Sequence, residues 1–279
     1  MVRQVIFTLL LLAGVSNLQA QTPGDAANKD SLVKDVLLLS NSQRLFDEIT
    51  SLYTDSLMQG LATVNPEIRD ELKKVILDTF KGPSVGTVLE SEFSKAMDVV
   101  SLQEVKRWSE TAAGKRILDV ENSERYIPNR PDKLRQFARE LSTTPTPESR
   151  LSLFTAFEAK AQVSEHMMDA TVKLMVTMTG NMMLRQTEEY KKAFLSQLET
   201  GFRATSKLQM ATDTLLSHQY VYRSLSDDEL RQYTEFLSSP AGQKYSNSFW
   251  ATLQSALEEV GTTAGRSCAD VLKKYGGLN

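Results

Sequence analysis

The sequence is poor in the residues that many catalytic and metal sites require. Among its 279 residues there are one cysteine and only two histidines, His166 and His218. Zinc sites draw three or four protein ligands mainly from these residue types, so zinc chemistry is not indicated. The glycine-rich loop that binds phosphates in nucleotide-binding proteins is also missing. We therefore expect a protein without enzymatic activity.

Proline and glycine are scarce as well, and both residues interrupt helices. The chain has 8 Pro and 13 Gly, and its apolar residues recur three or four positions apart, as in Leu32, Val36 and Leu39. This spacing places the apolar side chains on one face of an α-helix. The sequence therefore predicts an all-α, helical-bundle-like fold.

The longest apolar run lies at the N-terminus. Arg3 precedes the run Val5 to Val15, and residues 16–20 form a short, mostly polar stretch that ends at Ala20. This order is typical of a secretory signal peptide that is cleaved after Ala20. Because so short a helix rises only about 17 Å, it does not span a bilayer, and no transmembrane anchor is indicated. The sequence predicts an exported protein, periplasmic or secreted.

Charge of one sign does not dominate. The chain carries 32 basic and 35 acidic side chains, a net charge of −3, and loss of Arg3 with the signal peptide makes this −4. Proteins that bind nucleic acid usually present a basic face to the phosphates. We therefore expect no nucleic-acid partner. The expected partner is instead a protein of the cell envelope or an apolar ligand.

The single thiol, Cys268, cannot form an internal disulfide. An unpaired cysteine usually behaves as a small buried hydrophobe, and we expect this of Cys268. The alternative is an intermolecular disulfide, which an oxidising compartment permits.

Prolines divide the chain into long uninterrupted spans and cluster most densely at 128–147. We place a Pro-rich connection there, between an N-terminal helical half (21–127) and a C-terminal helical half (148–279). Within the halves, Asn65-Pro66-Glu67 and Thr146-Pro147-Glu148 predict helix starts, because each has an N-cap residue before a proline. Later breaks are predicted at Gly180, Gly201 and Ser224.

Two short segments of the chain resemble each other. Ser101 and Ser226 are predicted N-caps, and each is followed by a glutamate, Glu104 or Glu229, in the spacing of a capping box. Both segments continue to a turn, at Ala113-Gly114-Lys115-Arg116 and at Ala241-Gly242-Gln243-Lys244. Aligning Ser101 with Ser226 requires a gap of about one helical turn. We interpret the match as a divergent internal duplication that relates the two halves.

The second segment resembles a bacterial family of exported helical proteins, domain of unknown function 2059. The family pattern is an acidic residue and Leu at a helix start, an aromatic residue, Ser-Pro, a small residue, Gly, any residue and Lys. It is matched here by Glu229-Leu230, Phe236, Ser239-Pro240, Ala241-Gly242 and Lys244. The match covers residues 205–250, and a weaker copy near 101–116 lacks the proline. The resemblance implies export and an all-α fold, and it brings no catalytic residues.

Methionine is concentrated between residues 167 and 183. Four of these residues share one face of a predicted helix, just after His166: Met168, Met175, Met178 and Met182. Thioether and imidazole groups suit Cu(I), so a methionine-based copper site is one interpretation. The interpretation that we favour is an apolar stripe, which either packs in the core or lines a cavity together with Trp250. His218 we expect to be solvated or capped.

The sequence thus favours a non-enzymatic binding or scaffolding protein of the cell envelope. One alternative is a carrier of an apolar, lipid-like ligand in a helical cavity, and a copper binder is the less favoured one. The candidate ligand-binding residues are Met168, Met175, Met178, Met182 and Trp250. No catalytic residue, metal or cofactor is assigned.

Overall fold

The structure is a computed structural model that describes residues 23–39, 42–81, 84–125, 130–183 and 185–276. Within these ranges the chain forms twelve α-helices and one π-helical turn, and no strand. The predicted all-α fold is confirmed. The helices are α1 (Pro23–Leu39), α2 (Ser42–Gly60), α3 (Pro66–Phe80), α4 (Ser84–Ala96), α5 (Val99–Ser109), α6 (Ala112–Val120), the π-helix (Glu121–Arg125), α7 (Arg130–Thr143), α8 (Glu148–Ala161), α9 (Val163–Met182), α10 (Glu188–Val221), α11 (Asp227–Ser238) and α12 (Pro240–Lys274).

The predicted signal peptide, residues 1–20, lies outside the described ranges. Among the helices of the described part, none combines the length and the apolar content needed to cross a membrane.

Helix α12, 35 residues long, forms the centre of the core. It packs most extensively on α9 and also contacts α2, α3, α4, α5 and α11. One hydrophobic core therefore contains buried residues from both predicted halves, from Leu32 to Val271. The division into two halves therefore stays a prediction from the sequence. The predicted Pro-rich connection, residues 128–147, contains helix α7.

Small residues let α12 approach α9 closely. Gly261 and Gly265 lie one turn apart on α12 and face Leu174 and Met178 of α9. A Cβ atom at Gly265 would lie 2.4 Å from the backbone oxygen of Met178, so a larger residue would force the helices apart. Cys268 follows on the same helix and is fully buried, which confirms its predicted burial and raises the pKa of its thiol to about 12.

Helices α11 and α12 are joined by a tight turn at Ser239, and we call such a helix–turn–helix unit a corner. The N-caps of both helices in this corner are the predicted ones. Ser226 and Glu229 form a capping box at the start of α11, as their spacing predicts. Ser239 caps α12 by accepting a hydrogen bond from the Gly242 amide (3.1 Å), while its hydroxyl donates to the Phe236 carbonyl (2.7 Å). Pro240 occupies the first helical position, where its missing N–H costs no hydrogen bond.

The corner between α5 and α6 has the same hydrogen bonds at its turn, but α5 begins earlier than the sequence predicts. The prediction that Ser101 caps α5 is wrong, because the helix begins earlier and Asp98 is its N-cap, accepting a hydrogen bond from the Ser101 amide (2.7 Å). At the turn, Thr111 accepts from the Gly114 amide (3.0 Å) and donates to the Trp108 carbonyl (2.7 Å).

The earlier start of α5 removes the need for a gap between the two corners. Their caps, aromatic residues and glycines then correspond at one constant interval along the chain. The corresponding pairs are Asp98 and Ser226, Trp108 and Phe236, Thr111 and Ser239, and Gly114 and Gly242.

The two corners also contact each other reciprocally. The rings of Trp108 and Phe236 stack with their centroids 4.0 Å apart and an angle of 10° between their planes. Lys244 forms an ion pair with Asp98, and its counterpart Arg116 donates a hydrogen bond to Ser224 (3.3 Å). Each corner thus contacts the other through one basic residue: Lys244 bonds the N-cap of α5, and Arg116 bonds Ser224, two residues before the N-cap of α11.

Other predicted boundaries are confirmed in part. Asn65 caps α3 with Pro66 at its first position, and the break at Ser224 lies in the turn between α10 and α11. The break predicted at Gly180 is two residues early, since α9 ends at Met182, and the break predicted at Gly201 is wrong, since this residue lies within α10 and a Cβ there would contact nothing.

The start of α8 also differs from the prediction. Thr146 does not cap this helix, because its hydroxyl donates instead to the Gln219 side chain (2.7 Å).

Gly242 and Gly201 give a matched test of the corner. A Cβ at Gly242 would lie 1.9 Å from the Phe236 carbonyl oxygen, so we expect Gly242→Ala to lower the free energy of unfolding by about 2–3 kcal/mol. Gly201→Ala adds a methyl group on an open helix face and should raise that free energy by up to about 1 kcal/mol. Urea denaturation measures both, and equal effects would contradict the close approach.

The contact between Lys244 and Asp98 can be tested by titration. The hydrogen bond from Lys244, followed by that from the Ser101 amide, lowers the pKa of Asp98 to about 2. A lowered carboxyl pKa contributes stability that is present above the ordinary value and is lost as the pH falls towards 2. In Lys244→Met we expect an NMR titration to give Asp98 a higher pKa, whereas Arg116→Met should leave it unchanged.

Candidate functional site

A turn of π-helix carries the first two polar residues of the site. Residues Glu121–Arg125 continue directly from α6, and such turns are rare and occur frequently at functional sites. Arg125 donates to Glu121 (3.3 Å) and to the hydroxyl of Tyr222 (3.1 Å). The hydroxyls of Tyr222 and Tyr233 donate to the same Glu121 oxygen at 2.5 and 3.2 Å. One carboxylate thus joins the π-helix to the end of α10 and to α11.

The two tyrosines of this network are held as neutral hydrogen-bond donors. Tyr222 is fully buried. Burial, and next the negative charge of Glu121, raise the pKa of both Tyr222 and Tyr233 well above the usual value of 10. Neither phenol therefore ionises at neutral pH.

A second ion pair joins three helices nearby. Arg130, the first residue of α7, donates to Glu48 of α2 (2.6 Å) and to the hydroxyl of Ser217 on α10 (2.6 Å). Its Nε atom is buried and makes no hydrogen bond in the described structure. Arg130 is thus the residue that ties the start of α7 to the body of the protein.

His218 lies behind these pairs and corrects the expectation of a solvated or capped side chain. It is only 2% exposed, and its ring meets Phe157 edge to face. Its Nδ1 atom lies 3.7 Å from Oε2 of Glu158, too far for a hydrogen bond, and neither atom has another partner among the described residues. Burial, with the charges of Arg125 and Arg130, lowers the pKa of His218 to about 3. The imidazole is therefore neutral.

A cleft of about 680 Å³ opens beside this cluster, between α2, α7, α9 and α10. Its apolar wall comes from Leu45, Leu134, Val163, Met167, Phe202 and Met210. Its uncharged polar side chains all come from α10: Thr205, Ser206, Gln209, Thr214, Ser217 and the neutral His218. Ligand pockets in proteins are typically apolar with a few polar groups, and this cleft has that composition.

A smaller cavity of about 110 Å³ lies on the other side of the cluster, between the two corners. It is lined by aromatic rings, among them Trp108 and Phe236, by as many aliphatic side chains, and by polar groups that include Glu121. Leu45, Arg125 and Val163 line both spaces. A single layer of side chains therefore separates the inner cavity from the cleft.

The methionines singled out by the sequence lie elsewhere. Met168 and Met178 are buried and Met175 and Met182 half-buried, and none of the four lines the cleft or the inner cavity. Trp250 does line the inner cavity, where its ring stacks on His166 at 5.0 Å. The structure thus does not bring these candidate residues together around one space.

The polar cluster was missed by the sequence analysis. Glu121 and Arg125 have the spacing of a helical ion pair, and this was the available signal. The partners of Arg130 and Glu158 are distant in the chain and became visible only in the fold. Met167, which adjoins the predicted stripe, is the methionine of α9 that lines the cleft.

Residues 82–86 have the spacing Gly-x-Ser-x-Gly. In hydrolases this motif places the serine between a strand and a helix. Here the preceding element is helix α3, which ends at Phe80, and the described ranges contain no strand. Within the described ranges, the strand that precedes the serine in hydrolases is therefore not present before Ser84.

Comparison with known proteins adds no relative to this description. No protein-family model matches the chain, and no significant match exists among curated proteins or solved structures. The resemblance to domain of unknown function 2059 therefore rests on the residues quoted for it above.

Tyr222 tests the stability of the cluster. Tyr222→Phe removes a buried hydroxyl that bonds both Glu121 and Arg125, and we expect the free energy of unfolding to fall by about 1–3 kcal/mol. Tyr190→Phe is the matched control, because that side chain is 53% exposed and its change should stay within about 0.5 kcal/mol. Urea denaturation that finds the two variants equally stable would contradict the network.

Proposed function

We propose that this protein is an exported, non-enzymatic binding protein of the cell envelope that holds a small, largely apolar ligand in the cleft between α2, α7, α9 and α10. The observation that carries the proposal is the cleft itself. Its volume of about 680 Å³ falls within the range typical of small-molecule sites. A binding role is favoured over scaffolding for this reason.

The proposal relocates the ligand from the methionine stripe to neighbouring residues. The wall of the cleft contains Met167 of α9 and Met210 of α10, whose flexible thioethers can adapt to an apolar ligand. Met178, by contrast, is fully buried and packs towards α12. The idea of an apolar-ligand carrier is thus kept, with different residues.

The polar cluster supports a role without catalysis. General acid–base catalysis works best with a group whose pKa lies near the operating pH. The pKa of His218 is lowered to about 3, and those of Tyr222 and Tyr233 are raised far above neutrality. Glu121 and Arg125 form an ion pair with each other. These groups suit structural support of a binding site.

Export is supported by the sequence alone, through Arg3, the apolar run Val5 to Val15 and the resemblance to an exported family. We also propose that the two corners arose by duplication. The gap-free correspondence of their caps and glycines, and the reciprocal contacts of Lys244 and Arg116, support that origin.

A cleft-blocking variant tests the proposed site. Nile red is uncharged and fluoresces in apolar surroundings, so we expect it to bind the purified protein. Thr205→Trp should weaken this binding by about tenfold or more, because the indole fills the mouth of the cleft. Thr212→Trp is the control, since Thr212 is exposed outside the cleft and, like Thr205, donates to the carbonyl four residues earlier. Equal effects of both variants, or no binding of the dye, would contradict the proposal.

Export and a natural ligand are tested by native mass spectrometry. The full chain is produced in a bacterial host with residues 1–20 present and is purified without detergent. We expect a chain that begins at Gln21 and carries an additional mass that organic solvent removes. A chain that keeps residues 1–20 would contradict export.

A further inference from the structure

The charged side chains that line the cleft already have partners within the protein. Glu48 and Arg130 form one ion pair at 2.6 Å, and Arg125 pairs with Glu121 at 3.3 Å. Asp213 lies at the exposed rim and accepts a hydrogen bond from Gln209 (2.8 Å). Apart from Asp213 at the rim, whose partner is uncharged, the charges that line the cleft are already neutralised, so a charged ligand inside it would have to break an ion pair to find an opposite charge.

Two hydroxyl groups, in contrast, are available to a ligand. The hydroxyls of Ser206 and Thr214 line the cleft, are half-buried and make no hydrogen bond within the described part of the chain. With Met210 between them they lie at successive turns on one face of α10, because the three positions are four residues apart. A hydroxyl both donates and accepts hydrogen bonds, so this face offers paired polar contacts beside an apolar surface.

The paired charges and the available hydroxyls favour an uncharged ligand over a charged one. Moving a charged group out of water without a partner costs far more free energy than moving a hydroxyl that gains a hydrogen bond. The apolar wall, which includes Leu134, Val163 and Phe202, suits an aliphatic or isoprenoid body.

We infer that the cleft binds an uncharged amphiphile, an apolar chain that ends in a hydroxyl group, with the hydroxyl at Ser206 and Thr214. A long-chain alcohol or a partial glyceride has this chemistry. The inference rests on the proposed function and names the ligand class of the same cleft.

Three probes with one chain length test the head group: 1-decanol, decanoate and decylammonium. Each is titrated, below the concentration at which it forms micelles, against the protein with bound Nile red at neutral pH. We expect 1-decanol to displace the dye at a concentration about tenfold lower than either ion does. Stronger displacement by decanoate would overturn the inference and indicate an anion site at the arginines. Stronger displacement by decylammonium would overturn it in favour of a cation site at Asp213 on the rim.

Two variants test the two hydroxyls. In the double variant Ser206→Ala/Thr214→Val we expect the affinity for 1-decanol to fall about tenfold, because both hydrogen bonds are lost while the shape of the cleft is kept. Thr212→Val is the control for the threonine change, and its affinity should equal that of the natural protein. Circular dichroism verifies that all variants keep their helices. Unchanged affinity in the double variant would overturn the placement of the hydroxyl.

The outcomes separate this inference from the proposed function. If Nile red binds in the cleft and none of the three probes displaces it, the inference fails and the binding site stands. If Nile red does not bind, or binds equally to the Thr205→Trp variant, the proposed function fails and the inference fails with it.

Discussion

Two close backbone approaches that only glycine permits set the geometry of both corners. A Cβ at Gly114 would lie 2.2 Å from the carbonyl oxygen of Trp108, and one at Gly242 would lie 1.9 Å from that of Phe236. Each second helix therefore starts in direct contact with the end of the first. This short reversal brings Trp108 and Phe236 to a common face, where they stack on each other. The two halves of the sequence meet through that stack and through α12, which crosses the core.

The polar cluster depends on the same arrangement. Glu121 lies on the π-helix that continues α6, while Tyr233 lies on α11, so their hydrogen bond forms only because the corners face each other. Arg125 then reaches the space that becomes the cleft, and Arg130 closes that side by joining Glu48. Packing at the corners, rather than any feature of α10 alone, therefore determines where the polar cluster lies relative to the apolar wall of the cleft.

The parts of the structure that depend on neighbouring residues could be predicted from the sequence. The cap at Asn65 and the capping box at Ser226 are examples, because their bonds join residues a few positions apart. The start of α5 was misplaced because Ser101 and Asp98 are both good cap residues, and tertiary packing decides between them. The burial of His218 and the cleft could not be predicted, since periodicity tells which residues share a helix face and not which face is covered. The methionine stripe illustrates this, because α9 is covered on one side by α12 and on another by α10.

Helix α7, which forms part of the cleft, is packed less tightly than the helices of the core. Among its fourteen residues none is buried, and it is held mainly by the contacts of Arg130, by Leu134, and by Phe137, whose ring meets Tyr220. Elements with so few buried contacts detach at a small fraction of the free energy that unfolds the whole molecule. Since α7 forms one wall of the cleft, its detachment would widen the cleft while the core around α12 keeps its packing. The width of the cleft would then be set by two or three side chains of α7 rather than by the stability of the whole molecule.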